Sequence, residues 1–75
     1  MVNMSFEELR DSYVKELEEL DEKIIRYRCR LNNLLTQRVK NSEKILVCRK
    51  ILIVLENERD EMNLSIREMN KYLED

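Results

Sequence analysis

The chain has 75 residues, 43% hydrophobic and 40% charged, with a formal net charge of -2 and no Gly, Pro, His or Trp. That length allows one thin domain, and the missing Gly and Pro remove the turn residues that a sheet-rich fold requires. Without His, and with two Cys only, there is no four-ligand metal site, no activated nucleophile and no Gly-rich phosphate loop. No enzymatic activity, metal, cofactor or small-molecule substrate is therefore expected.

The net charge conceals a partition. Residues 23–50 hold nine Lys and Arg against one acid, Glu43. Residues 1–22 hold eight acids and two bases, and residues 51–75 hold seven acids and three bases. A chain folded back on itself near Asn41 would gather positive charge at the turn end and negative charge at the termini.

In chain order, Ser5-Phe6-Glu7-Glu8 reads as a capping box, with Met4 and Leu9 placed for a hydrophobic staple. From there Leu17, Leu20, Ile24, Tyr27, Leu31 and Leu34 recur at alternating steps of three and four, a coiled-coil seam. Phe6, Leu9 and Tyr13 extend it backwards through one stutter. Arg38 and Lys40 suit a last helical turn, Asn41 tolerates a left-handed bend and Ser42 can cap a second helix. A second seam follows: Ile45, Cys48, Leu52, Leu55, Arg59, Met62, Ile66, Met69 and Leu73.

The predicted fold is thus all-α: one domain over 1–75, an antiparallel two-helix hairpin. Helix one covers about 5–40, the turn about 41–42 and helix two about 43–74, each helix on the order of 50 Å long. A bend at Asn41–Ser42 brings Arg28 near Glu56, Lys23 near Glu58, Leu31 onto Leu52 and Leu20 onto Met62. It leaves Cys29 and Cys48 offset, hence two reduced thiols. A single long helix in a parallel dimer would stack basic middles on each other, and is disfavoured. A strand over the β-branched segment 45–55 lacks flanking turn residues.

Helix two carries more apolar surface than one partner helix can cover. This predicts a homodimer of hairpins, a four-helix bundle, with Leu35, Val39, Val47, Ile51 and Val54 as candidate oligomer-interface residues. A basic face of Lys23, Arg26, Arg30, Asn33, Gln37 and Lys40, with Lys44 beside it, is the candidate polyanion-binding site. On architecture alone this arrangement resembles the Rop-type hairpin dimer, and that resemblance implies RNA binding. Tyr27, inside the run Arg26-Tyr27-Arg28-Cys29-Arg30, could stack on a base, but its seam position favours packing. Arg59 interrupts the second seam, its stem packing and its head reaching Glu22 or Glu58.

Leu17–Ile25 resembles the first helix of AroQ-type chorismate mutases, but the positions of that family's substrate-binding arginines hold Val14 and Leu31. That activity is therefore excluded. The expected function is a small non-enzymatic regulator or adaptor acting by helix-mediated protein–protein interaction. The alternative is RNA or DNA binding through the basic face and turn end, and the third reading is a structural assembly subunit. A protein partner ranks ahead of nucleic acid. No leader is visible and the longest apolar stretch is too short and too interrupted to span a membrane, so a cytoplasmic location is expected.

Overall fold

The computed structural model describes residues 5–74, in which the chain forms two α-helices, α1 (Phe6–Thr36) and α2 (Ser42–Glu74). They pack antiparallel, so that the start of α1 lies beside the end of α2. Arg10 Nη1 donates to Asn70 Oδ1 at 3.2 Å, and the Phe6 and Tyr72 rings stack 5.4 Å apart. Segment 45–55 is helical throughout, so the strand alternative falls, and the break over 37–41 removes the single long helix.

The hairpin forms because both stripes of apolar residues need cover and each is the other's nearest surface. Every α1 seam residue from Leu9 to Leu34, and every α2 seam residue from Ile45 to Leu73, is buried or half-buried. The core is the cluster Leu20, Ile24 and Leu52, with Tyr27, Leu31 and Leu55 packed against it. Ile24, at 2% exposure, is its most enclosed member.

The start of α1 is as the sequence indicates: Glu8 N–H donates to Ser5 Oγ at 3.2 Å. The returning Glu8 arm of a full capping box is not among the hydrogen bonds of the described residues, and the Met4 staple lies outside them. The turn differs from expectation. Helix α1 stops at Thr36, not Lys40, where the Thr36 hydroxyl donates back to the Asn33 carbonyl at 3.0 Å and Gln37 turns extended. Arg38 and Lys40 therefore belong to the connection, not to a last helical turn.

Asn41 also takes a different role. No described residue has a positive φ, so Asn41 makes no left-handed bend. Instead its Oδ1 accepts from Lys44 N–H at 3.0 Å and its carbonyl from Ile45 N–H at 3.1 Å. Asn41 is the N-cap of α2, and Ser42 is its first helical residue.

Because the connection spans 37–41, the centre of the hairpin lies near residue 39, a shift of about half a helical turn or more from Asn41–Ser42. Arg28 still reaches Glu56, at 2.9 Å, because both side chains are long. Lys23 and Glu58 form no ion pair among the described residues. Arg59 is half-buried in its seam, but its guanidinium pairs with Asp60 at 3.5 Å rather than with Glu22 or Glu58.

The rod measures 55 × 25 × 14 Å. It exposes 6365 Å², where a compact 9.2 kDa monomer exposes on the order of 4,900 Å². Two helices alone cover only one stripe of each other, and that excess is the uncovered remainder.

Two substitutions test this account. Ile24→Ala should cost about 2–5 kcal/mol in denaturant unfolding followed by circular dichroism, since the site cannot collapse without losing Leu20 and Leu52 contacts. Asn41→Ala should cost about 1 kcal/mol and Ser42→Ala much less, the reverse of what capping by Ser42 would give.

Candidate interaction surface

The two seams do not close flush along one side of the hairpin, which leaves a groove between α1 and α2. Near the turn it is lined by Tyr27, Leu34, Val47 and Ile51, with Arg30 and Lys44 on its walls, and encloses ≈ 670 Å³. It continues past Lys23, Arg26, Ile51 and Leu55. Toward the termini the same side is lined by Tyr13, Glu16, Glu58, Glu61 and Met62. Its walls therefore change from basic to acidic along the rod.

Apart from Arg28, the basic residues near the turn are not paired with acids among the described residues. Ion pairs among the described residues involve Arg10, Arg28 and Arg59, and none involves Lys23, Arg26, Arg30, Lys40 or Lys44. Arg30 instead lays its guanidinium 5.0 Å from the centre of the Tyr27 ring. Tyr27 packs against the core as its seam position indicates, and Arg30 lies over one face of its ring.

The candidate polyanion residues are only partly brought together. Lys23, Arg26, Arg30 and Asn33 share one flank of α1, a run of about 15 Å at 1.5 Å per residue. Gln37 is extended at the C-cap and Lys40 lies in the connection, so the ladder is cut after Asn33. Lys44 rejoins it from the other wall of the groove.

The candidate interface residues divide likewise. Val47 and Ile51 line the groove, and Val54 continues their flank at 55% exposure. Leu35 follows Leu34 by one residue and so points about 100° away from the groove wall. Val39 stands in the connection at 84% exposure. A further outward stripe is formed by Leu46 and Ile53, seven residues apart on the outer flank of α2 away from the groove, with Ile53 at 59% exposure. Their spacing was the available signal, masked because nearly every residue of 45–55 is apolar.

Among the described residues no three Cys, Asp or Glu side chains converge as a metal site, and no helix is long and apolar enough to cross a membrane. Cys29 is exposed, whereas Cys48 is buried in the seam with its thiol directed at the Tyr27 carbonyl, 3.8 Å away. A thiol reagent should modify Cys29 at the rate of an unfolded peptide and Cys48 only as the hairpin opens. Mass spectrometry over time should show one adduct quickly and a second after denaturant is added. No family model matches this chain, and no curated protein or solved structure matches it either.

Proposed function

We propose that the protein is a small non-enzymatic regulator or adaptor that dimerises through α2 and binds another protein through a helical surface. The carrying observation is the apolar surface left open on α2, where Leu46, Val47, Ile53 and Val54 are all at least half exposed. Isolated aliphatic side chains on a surface need no explanation, but four within nine residues of one helix form a patch of the kind that marks an interface.

The outward stripe of Leu46 and Ile53 is the dimer contact in this reading. Two hairpins meeting there form a four-helix bundle and keep the groove beside Val47 and Ile51 open for the second protein. Light scattering across a concentration series should then give twice the 9.2 kDa chain mass. Ile53→Glu should give the single-chain mass with helicity retained, because its side chain is solvent-facing in the hairpin itself. A parent protein that stays at single-chain mass throughout would remove the dimer from the proposal.

A second reading, nucleic-acid binding, has its own support in Lys23, Arg26 and Arg30, which form no ion pair among the described residues. Labelled duplex DNA and structured RNA, titrated across a salt series beside an Arg26→Ala/Arg30→Ala variant, separate the two. An adaptor should bind neither beyond weak, sequence-blind association. Binding that is micromolar, falls steeply with salt and is lost in the variant would put nucleic acid first.

A further inference from the structure

We infer that the turn-end half of the groove receives an amphipathic helix with an aliphatic face bordered by acidic residues, supplied by a protein partner. This deepens the adaptor reading and rests on it. The floor is apolar: Tyr27, Leu34, Val47 and Ile51. The walls are basic: Lys23, Arg26, Arg30 and Lys44, with Glu43 the one acid beside them. An aliphatic stripe fits that floor, and carboxylates on either side of it fit those walls.

Three features select this occupant. The cations have no ion partners within the described hairpin, so an incoming carboxylate does not have to displace one. The basic walls suit a phosphate as well as a carboxylate, but Leu34, Val47 and Ile51 in the floor are covered by a partner's aliphatic face and not by a sugar–phosphate strand, so the lining fits a helix better. The walls change sign at Glu16, Glu58 and Glu61. That reversal repels an acidic helix beyond Leu55 and confines it to the basic half. From Lys23 to Leu34 that half is about 17 Å long, or three turns of a partner helix.

A second copy of the chain fits less well. Turned end for end, it brings its acidic half to these cations, but sets Glu58 and Glu61 against Val47 and Ile51. Aligned in parallel, it joins the apolar floors but stacks basic wall on basic wall.

The test uses isotope-labelled full-length protein and two synthetic amphipathic peptides, one of Leu and Glu, one of Leu and Lys at the same positions. The Leu/Glu peptide should bind with micromolar affinity and shift the amide resonances of Arg26–Arg30, Val47 and Ile51. A Lys23→Glu/Arg26→Glu variant, altering exposed residues that form no ion pair among the described residues, should weaken it roughly tenfold or more while helicity is retained. Equal affinity for the Leu/Lys peptide, shifts centred on Glu58–Ser65, or no binding at all would overturn the inference. So would displacement of the peptide by structured RNA at the same resonances. So would loss of the dimer mass in an Ile51→Ser variant, which would give the groove to a second copy. Failure of the peptide with an intact dimer at Ile53 sinks only this inference, whereas a single-chain mass together with RNA binding sinks the adaptor reading as well.

Discussion

Two apolar stripes, each recurring at steps of three and four, have to be buried against one another with a short connection between them. That constraint organises the molecule. It sets the antiparallel direction, since a connection over 37–41 is too short to carry the chain to the far end of a 55 Å rod. It also decides which side chains face inward. Burying one aliphatic side chain stabilises by about 1.5–3 kcal/mol, whereas an exposed ion pair such as Arg28–Glu56 contributes about 0.2–1 kcal/mol. Packing therefore chooses the alignment of the helices, and the charge pairs adapt to it with their long side chains.

A hairpin so organised has a thin core and a large remainder. Ile24 is enclosed because it sits where Leu20 and Leu52 close over it, and few other positions have neighbours on all sides. The aliphatic excess of α2 finds no third helix in the chain. Its outward and flanking stripes stay in water, at a cost that a partner surface would recover. The adaptor reading grows from this imbalance rather than from any catalytic group.

The charge partition acts on a longer scale. Within the described hairpin Arg28 pairs with Glu56, whereas Lys23, Arg26, Arg30 and Lys44 have no ion partner, so their field points outward. The groove gives that field a place and a shape: an apolar floor selects what can lie in it, and the basic walls select the sign. The acidic half of the same groove limits how far an occupant extends. Cation–π packing of Arg30 on Tyr27 ties that wall to the floor.

Helix content, the two seams, the antiparallel fold and the segregation of charge were legible in the sequence, because each follows from periodicity or from the order of residues along the chain. Ser5 as a cap was legible for the same reason, being a contact within four residues. The end of α1 was not. Both Asn41 and Ser42 are good caps, and the choice depends on where Thr36 breaks the helix, a balance of small local terms that spacing does not rank. With that choice went the alignment of the helices, the loss of Gln37 and Lys40 from the basic ladder, and the partner of Arg59. The groove itself belongs to the tertiary structure alone: it exists only where the flanks of α1 and α2 lie side by side along their shared seam, so Lys23, Arg26 and Arg30 become one wall and Val47 and Ile51 the floor. Periodicity assigns a residue to a face of its own helix, but only packing decides which two faces meet and which are left side by side.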